Sequence, residues 1–420
     1  MIRTSAAAMA ALLLHSSCAF AQESRTATSG VFQRYAEQIV KIEVVETGSA
    51  ARVSVGTGFF VDSNGTVVTN YHVISEYVHD PERHRIELIG ADGSTPLSVR
   101  AVDVVHDLAV LRSELRPARH FTLAPVAVAQ GERLYSLGHP NDLGLSIVEG
   151  TFNGHLQHTL YPKIHFTGSI NPGMSGGPTI SEDGRVVGIN VATSGEQVSF
   201  LVPVENAIAL VQLESAPDYQ PPDSMLHEIG RQITEYQAVY LDGMFDDGAK
   251  TVELGPYRAV TEPAPFFRCW GYSTRERELP YERASHRCAT DDYLFIAGNQ
   301  RSGTVQMTHQ LLTTASLSRS RFYALYSAVF SEDNTPIGVE EHVTKWRCGT
   351  RNVRNQSTPV RAVLCLRRYR KLDALYDAVL KVAVLGGSDT GLVSTLSLSG
   401  VTHESIDTLT QRYLERITWR

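Results

Sequence analysis

Short apolar runs separated by glycine-containing turns fill the first half of the chain. The apolar run 58–61 is followed by the turn Asp62-Ser-Asn-Gly65, and the next apolar run, 66–69, starts directly after that glycine. The same rhythm continues to about residue 204. Short β-rich runs divided by turn signals are typical of an all-β sandwich or barrel. The first half is therefore predicted to be an all-β domain.

The pattern becomes helical after Pro203 and then breaks. Apolar side chains recur three and four residues apart along this stretch, at Val204, Ala207, Ile208 and Val211. Residues 214–223 follow, are rich in proline and acidic residues, and offer few apolar side chains to bury. Such a segment marks a domain boundary. We therefore expect a first domain over residues 31–213, a linker over 214–224 and a second domain over 225–420.

The second half mixes helical and strand-like patterns. Three segments carry apolar residues at helical spacing, namely 226–233, 372–380 and 406–417. The segment 372–380 uses Leu372, Leu375, Tyr376, Val379 and Leu380 and ends before the pair Gly386-Gly387. The residues between the first and second segments are strand-like and aromatic. The second domain is therefore predicted to be α+β, with two helices at its end.

The first 21 residues have the pattern of a secretory signal peptide. Arg3 precedes a short apolar run over 6–14, and the small residues Ala19 and Ala21 stand ahead of Gln22. The apolar run is too short for a permanent membrane span, which needs about 20 apolar residues. We therefore expect an exported protein, periplasmic or secreted, without a permanent membrane span.

Four of the five cysteines lie in the second half, and the fifth lies in the predicted signal peptide. The four are Cys269, Cys288, Cys348 and Cys365. An even number of cysteines in an oxidising compartment favours disulfides, and four cysteines allow three pairings. We favour the sequence-adjacent pairing, Cys269 with Cys288 and Cys348 with Cys365. The alternative of a zinc site lacks any Cys-x-x-Cys spacing, although His286 and His342 lie nearby, so no metal or other cofactor is expected.

The charge balance argues against a nucleic-acid partner. The chain has 38 Lys and Arg against 45 Asp and Glu, for a net charge of -7. Nucleic-acid binding normally requires a broad basic surface. The basic run 367–371 is typical of a solvated strand edge.

Ser175 stands in a glycine-rich turn, Gly173-Met-Ser175-Gly-Gly177, between two strand-like segments. Glycines adopt the unusual backbone angles of a tight turn and let a carbonyl substrate approach the backbone. The amides of Gly173 and Ser175 are therefore candidates for an oxyanion hole. A serine hydroxyl is a weak nucleophile, so a base must lie nearby to accept its proton.

His72 and Asp107 supply the remaining catalytic groups. His72 follows the strand-like run 66–69, and an imidazole accepts and returns protons near neutral pH. Asp107 stands just before the apolar run 108–111, where it can orient the imidazole and stabilise its charged form. Asp103 is a second candidate for this carboxylate.

These segments, in the order His72, Asp107, Ser175, resemble those of the trypsin-like serine peptidases, most closely the bacterial Deg-type branch. The resemblance spans about residues 35–210. It extends to Leu137-Gly-His-Pro140, Ile170-Asn-Pro-Gly173, Gly188-Ile-Asn190 and Phe200-Leu-Val-Pro203. It implies a trypsin-like double β-barrel for this part of the chain, which the separate, disulfide-containing α+β domain predicted above follows.

Two features depart from that branch. Met174 stands where the branch usually has Asn or Asp, and no segment after Asp223 resembles a peptide-binding PDZ module. A PDZ-governed assembly is therefore not implied, and the partner of the second domain is unknown.

The resemblance also implies two positions of the specificity pocket. Ser169, six residues before the nucleophile, corresponds to the base of the pocket, and Thr193 corresponds to a position that is glycine in open pockets. Ser169 is neutral and Thr193 is branched, so we expect cleavage after small to medium aliphatic residues.

The sequence therefore predicts an exported serine endopeptidase that acts on protein or peptide substrates. One alternative is a catalytically silent protein of the same fold that serves as a chaperone or binding adaptor. In a further alternative, the second domain is a sensor that directs the peptidase to its partner.

Overall fold

The structure, a computed structural model, describes residues 27–90, 93–193, 198–274, 279–298, 300–333, 335–355 and 358–419. The predicted signal peptide, residues 1–21, lies outside these ranges. The described residues divide into two units, of which the first comprises those up to Leu156 together with Pro162–Pro222, and the second comprises Gln157–Tyr161 together with those from Asp223 onward.

The first unit contains two closed six-stranded barrels whose neighbouring strands are antiparallel. Strands of the first barrel are β1 (Ile39–Glu46), β2 (Arg52–Phe60), β3 (Thr66–Thr69), β4 (His84–Gly90), β5 (Gly93–Asp103) and β6 (Leu108–Ser113), in the order β1-β2-β3-β6-β5-β4. Strands of the second barrel are β7 (Arg133–Gly138), β8 (Ser146–His155), β9 (Ile164–Phe166), β10 (Pro178–Ile180), β11 (Val186–Thr193) and β12 (Ser199–Pro203), in the order β10-β11-β12-β9-β8-β7. The predicted all-β double barrel is confirmed.

One buried apolar cluster joins the two barrels. It includes Phe59 and Val110 from the first barrel and Leu137 and Ile189 from the second. Helix α1 (Tyr71–His79) follows β3, and helix α2 (Val204–Glu214) follows β12, as its apolar spacing predicts. The loops that the two barrels present to each other are thereby held in place by a shared core.

The second unit is built on a seven-stranded antiparallel sheet. Its strands, in spatial order, are β15 (Phe267–Thr274), β16 (Glu282–Thr290), β19 (Val305–Thr313), β23 (Thr390–Val401), β22 (Tyr376–Val384), β21 (Thr358–Arg368) and β20 (Arg347–Asn355). A three-stranded sheet contains β13 (Thr251–Leu254), β14 (Tyr257–Val260) and β24 (Thr418–Trp419), and a hairpin contains β17 (Leu294–Ala297) and β18 (Gln300–Ser302). Its helices are α3 (Met225–Tyr240), α4 (Arg319–Ser331) and α5 (His403–Glu415).

Two disulfides fasten the two outermost strands of this sheet to their neighbours. Cys269 of β15 is bonded to Cys288 of β16, and Cys348 of β20 is bonded to Cys365 of β21. Both pairs are directly opposite each other in the antiparallel register. The sequence-adjacent pairing is confirmed.

The helix predicted over residues 372–380 is wrong, because most of that segment belongs to strand β22. Helix α5 packs on one face of the sheet, in a cluster with Leu380 of β22, whereas α4 packs on the other, in a cluster with Ala383. A strand that is buried on both faces carries apolar residues on both, so apolar and polar residues no longer alternate along its sequence. The helices predicted from 226–233 and 406–417 are confirmed as α3 and α5. No helix among the described residues is long and apolar enough to cross a membrane.

Candidate active site

Ser175 lies in a loop that makes two consecutive turns between β9 and β10. The Met174 N–H donates to Asn171 O at 3.0 Å, and the Gly177 N–H donates to Met174 O at 3.1 Å. Gly173 and Gly176, the third residues of these turns, have φ angles of +95° and +83°. Residues with a Cβ rarely adopt such angles, so the two turns favour glycine at both positions. Ser175 is half-buried between these two glycines.

The loop of Ser175 packs directly against the first barrel. A Cβ atom on Gly176 would lie 2.2 Å from Thr69 Oγ1 and 2.3 Å from Thr57 O, which leaves room only for glycine. The same Cβ would lie 2.8 Å from the backbone nitrogen of Asn70, the residue that precedes α1. The loop of Ser175 in the second barrel therefore meets the start of α1.

His72, the second residue of α1, contacts Asp107 in the turn between β5 and β6. His72 Nδ1 lies 2.6 Å from Asp107 Oδ2, and the His72 backbone N–H donates to Asp107 Oδ1 at 2.8 Å. An ionised carboxylate only accepts hydrogen bonds, so Nδ1 carries the proton and Nε2 is left as the basic nitrogen. The side chain of His72 keeps 27% of its surface exposed and that of Asp107 only 11%, so the imidazole is the member of the pair that a substrate can reach.

The backbone of Asp107 adopts an uncommon conformation that its neighbours hold in place. Its φ angle is +56°, in the left-handed region that aspartate tolerates better than most residues. The carbonyl of Asp107 accepts hydrogen bonds from Asn70 Nδ2 at 2.8 Å and from the Tyr71 N–H at 3.1 Å. The start of α1 thus holds the backbone of Asp107, while the carboxylate of Asp107 holds the first turn of α1.

The environment of His72 makes its imidazole a stronger base. Burial lowers the pKa of His72, but the charge of Asp107 and its hydrogen bond together raise it by more, so the pKa lies above the ordinary value of 6.5. The imidazolium that forms when His72 takes a proton is therefore stabilised by Asp107.

Asp103, the second candidate for the carboxylate, contacts a different histidine. Asp103 Oδ2 lies 2.6 Å from His106 Nδ1, and Asp103 Oδ1 accepts the His106 backbone N–H at 3.1 Å. This pair stabilises the turn that leads to Asp107. Of the two candidate carboxylates, only Asp107 is hydrogen-bonded to His72.

The two amides predicted to form the oxyanion hole belong to peptide groups whose carbonyls are fixed. The Asn141 N–H donates to Pro172 O at 2.9 Å, and Asn190 Nδ2 donates to Met174 O at 3.1 Å. The N–H and C=O of a trans peptide point in opposite directions. Since the two carbonyls point toward Asn141 and Asn190, the N–H groups of Gly173 and Ser175 point away from those residues. Among the described residues, neither amide donates to a protein acceptor. Two such preoriented donors can stabilise a developing oxyanion.

Residues 56–189 match a protein family described as the trypsin-like peptidase domain. The chain contains a trypsin-like peptidase domain. This match includes His72, Asp107 and Ser175.

Several named proteins are similar to this chain over part of its length. Mitochondrial serine protease HTRA2 of Bos taurus is 32% identical over 187 residues, which cover 41% of this chain and 40% of the bovine protein. HTRA2 of Drosophila erecta is 26% identical over 221 residues, covering 49% of this chain and 51% of that protein. The chain thus spans about half the length, or less, of these curated relatives.

Solved structures show a similar partial overlap. The serine endoprotease from Yersinia pestis is 22% identical, with a TM-score of 0.38, and the match covers 44% of this chain and 66% of that one. Deg5 is 27% identical, with a TM-score of 0.39, and the match covers 45% of this chain and 94% of that one.

Asn190 is bonded to the backbone of the Ser175 loop, and the full hydrogen-bonding capacity of its side-chain amide is used. Its Nδ2 donates to Leu137 O at 3.2 Å and to Met174 O at 3.1 Å. Its Oδ1 accepts from Ser136 Oγ at 2.8 Å and from Thr179 Oγ1 at 2.7 Å. The sequence identified only the segment 188–190, because the partners that give Asn190 its role are distant in sequence.

Met174 is fully buried in a cluster of the second barrel that includes Ile170 and Leu201. The side chain next to Ser175 therefore points into the core of the second barrel. An apolar side chain is accommodated there because it packs inside the barrel and takes no part in the chemistry.

The two predicted pocket residues lie on either side of Ser175 in sequence. Ser169 is exposed, and its carbonyl accepts a hydrogen bond from Asn171 Nδ2 at 3.2 Å. Thr193 is the last residue of β11, where it pairs with Ser199 of β12. The backbone next to Ser169 is fixed by Ser199, whose Oγ donates to Gly168 O at 2.7 Å.

One cluster of potential metal ligands occurs among the described residues, formed by Cys269, His286 and Cys288. Both cysteines are bonded to each other, so neither offers the thiolate that zinc requires. His286 Nε2 instead lies 2.7 Å from Thr261 Oγ1. This cluster belongs to the disulfide of the second unit.

Proposed function

We propose that this protein is a serine endopeptidase that hydrolyses peptide bonds through an acyl-enzyme intermediate. The observation that carries the proposal is the double contact between Asp107 and His72, next to a glycine-rich loop that bears Ser175. A protonated Nδ1 leaves Nε2 as the base, and the raised pKa of His72 suits it to take a proton from a hydroxyl.

The reaction would proceed in two stages. Ser175 Oγ attacks the scissile carbonyl while His72 Nε2 takes the hydroxyl proton, and the carbonyl oxygen becomes an oxyanion bound by the amides of Gly173 and Ser175. His72 then protonates the leaving amine, the C–N bond breaks and an acyl-enzyme remains. In the second stage a water molecule loses a proton to His72 and attacks the ester. His72 then returns this proton to Ser175 Oγ as the ester C–O bond breaks and the acid leaves.

Active-site labelling on the purified protein tests this proposal. A fluorophosphonate probe should label the wild type and leave Ser175→Ala unlabelled, and casein should be cleaved by the wild type alone. The control is Ser181→Ala in the same barrel, which should label like the wild type. Binding of casein by the wild type without cleavage or labelling would instead support a catalytically silent adaptor.

We further propose that cleavage follows small to medium aliphatic residues. Ser169 carries no charge to pair with a substrate lysine or arginine, and burial of an unpaired cation is strongly unfavourable. Peptides with Val, Ala or Leu before the scissile bond should be cleaved faster than matched peptides with Arg or Lys. A peptide library in which Arg or Lys is preferred would contradict the assignment of Ser169.

Export is proposed on two grounds. The first 21 residues have the composition of a signal peptide, and two disulfides link strands of the second unit. Expression of the full chain followed by fractionation should place the protein in the periplasm or the medium, with Gln22 as its first residue. A cytosolic product that retains residues 1–21 would contradict this proposal.

A further inference from the structure

Thr57, in strand β2 of the first barrel, forms hydrogen bonds to two loops of the second barrel. Its Oγ1 donates to Gly173 O at 2.7 Å and accepts from the His139 N–H at 3.0 Å. Its backbone N–H donates to Ser175 O at 2.8 Å. Thr57 is fully buried, so these bonds are shielded from competition with water.

These bonds fix two peptide groups of the Ser175 loop, each of which follows a peptide group that carries a proposed oxyanion donor. The donors belong to the peptides 172–173 and 174–175, whose carbonyls are held by Asn141 and Asn190. The peptides 173–174 and 175–176 are held by Thr57, one through its hydroxyl and the other through its backbone amide. Four successive carbonyls of the Ser175 loop are therefore fixed.

The hydroxyl of Thr57 bonds to the backbone of both loops, at His139 and at Gly173. A Cβ on Gly173 would lie 2.4 Å from His139 O, so the backbone at His139 is in close contact with the backbone at Gly173. Thr57 Oγ1 accepts from the His139 N–H and donates to Gly173 O, and a hydroxyl is the smallest side-chain group that can do both.

His139 is suited to stay neutral beside this hydroxyl. Burial, with a smaller contribution from the charge of Lys41, lowers the pKa of His139 to about 4. His139 Nδ1 lies 3.5 Å from Thr57 Oγ1, so a cation at this position would face the hydroxyl. At neutral pH the His139 ring is therefore uncharged, and it does not compete as a cation for the hydroxyl that donates to Gly173 O.

We propose that Thr57 is a positioning residue of the oxyanion hole, whose hydroxyl holds the peptide 173–174 so that the amides of Gly173 and Ser175 stay aligned. The inference rests on the proposed peptidase function. It assigns to Thr57 an effect on the stabilisation of the transition state, because the hydroxyl acts on the donors of the oxyanion hole and on no part of the substrate.

The test compares Thr57→Val, which keeps the shape and removes the hydroxyl, with Thr57→Ser, which keeps the hydroxyl. Thr66→Val is the matched control, because Thr66 is also buried in the first barrel and its hydroxyl donates to Asp62 Oδ2 at 2.6 Å. kcat and KM on one peptide substrate, the inhibition constant of a peptide aldehyde, and the melting temperature are measured for each full-length variant.

Loss of one oxyanion donor typically lowers kcat by about 10²- to 10³-fold, and misalignment should cost less. We expect Thr57→Val to lower kcat by roughly 10- to 100-fold with KM within about twofold, and to weaken aldehyde binding by a similar factor. Thr57→Ser should stay within about fivefold of the wild-type kcat. Thr66→Val should lower the melting temperature and leave kcat unchanged.

Several results would overturn the inference. These are a wild-type kcat in folded Thr57→Val, an equal loss in Thr57→Ser, or a change confined to KM. If Thr57→Val does not fold, Thr57→Ala replaces it, and failure of both to fold would assign the hydroxyl to stability alone. An inactive wild type would refute the proposed function itself, whereas an active wild type with an unaffected Thr57→Val would refute only the role of Thr57.

Discussion

Asp107 binds His72 through both of its carboxylate oxygens, because Oδ1 accepts the backbone N–H at 2.8 Å and Oδ2 lies 2.6 Å from Nδ1. The first contact satisfies an N–H at the start of a helix, where no partner exists within the helix. The second contact selects the tautomer of the imidazole. One side chain therefore sets both the place of the base and the position of its proton.

Replacement of Asp107 by asparagine should remove most of the activity while the fold persists. An amide can donate to Nδ1, which would move the imidazole proton to Nε2 and leave no base for Ser175. We expect kcat to fall by about 10⁴-fold. Asp103→Asn makes the same change four residues earlier, in the pair with His106, and should retain activity within a few fold. Steady-state kinetics on a peptide measure both, and equal losses would show that Asp107 has no special role.

The activity should depend on pH through His72. Since its pKa lies above 6.5 and the neutral form is the base, kcat/KM should rise with pH with an apparent pKa above 6.5. In Asp107→Asn the lowering effect of burial remains without the opposing carboxylate, so the residual activity should titrate at lower pH. Profiles of kcat/KM from about pH 5 to 9 test this, and identical apparent pKa values in the two proteins would contradict it.

Asn190 should matter to both stability and turnover. Asn190→Asp would place a carboxylate oxygen against Leu137 O and Met174 O, where the amide nitrogen now donates. A buried group left without partners costs about 1–3 kcal/mol, and more when charged. Asn153→Asp, a half-buried site in the same barrel, is the control and should change the unfolding free energy by less than about 1 kcal/mol. Urea titrations followed by active-site labelling measure the difference, and equal effects would contradict the assigned role of Asn190.

The proposed reacting groups could be named from the sequence, whereas the residues that the structure places around them could not. His72, Asp107 and Ser175 stand in segments whose glycines, strand patterns and order are visible in the chain itself. Thr57 acts through Gly173, 116 residues away, and Asn190 acts through Leu137, 53 residues away, and Met174, 16 residues away. A buried threonine or asparagine has no local signature that separates such a role from ordinary packing.

The second unit shows a different limit. Apolar residues in β22 recur at helical spacing by coincidence, since helices α4 and α5 cover both faces of the sheet there. The disulfides were predictable because each joins neighbouring strands that are close in sequence. The sheet order was not, because β19 pairs with β23 across some 80 residues of chain.

Acid should destabilise the second unit through His309. Its Nε2 donates to Val260 O at 2.8 Å, and its Nδ1 lies 2.7 Å from Ser394 Oγ. Burial lowers the pKa of His309 to about 4, so the ring is neutral at pH 7 and Nδ1 is left to accept from the hydroxyl. The unfolded chain takes up this proton near pH 6.5 and the folded chain only near 4, so stability falls as pH drops between these values, by about 3 kcal/mol in total.

Tryptophan fluorescence can measure this effect selectively, because Trp270, Trp346 and Trp419 all belong to the second unit. Urea unfolding followed by this signal should show a weaker pH dependence in His309→Gln than in the wild type. His227→Gln, on the exposed surface of α3, should behave like the wild type. The same slope in all three proteins would exclude His309 as the cause.

Reduction should affect the second unit before the peptidase domain. The bonded cysteines are 19 and 17 residues apart, and chain-entropy estimates for loops of this size give roughly 3 kcal/mol for each disulfide. Each bond also fastens an outermost strand of the sheet, so its loss frees an edge first. Mild reductant should therefore shift the tryptophan emission and expose the second unit to added protease.

The rate of peptide cleavage across the same reductant series shows whether the active site depends on the second unit. A constant rate, while the tryptophan signal changes, is expected if the barrels hold the active site by themselves, as the contacts of His72, Asp107 and Thr57 within the first unit indicate. A rate that rises or falls together with the tryptophan signal would mean that the second unit orders or restrains the active site. Alkylation of all four thiols without reductant would remove the premise, because bonded cysteines do not react.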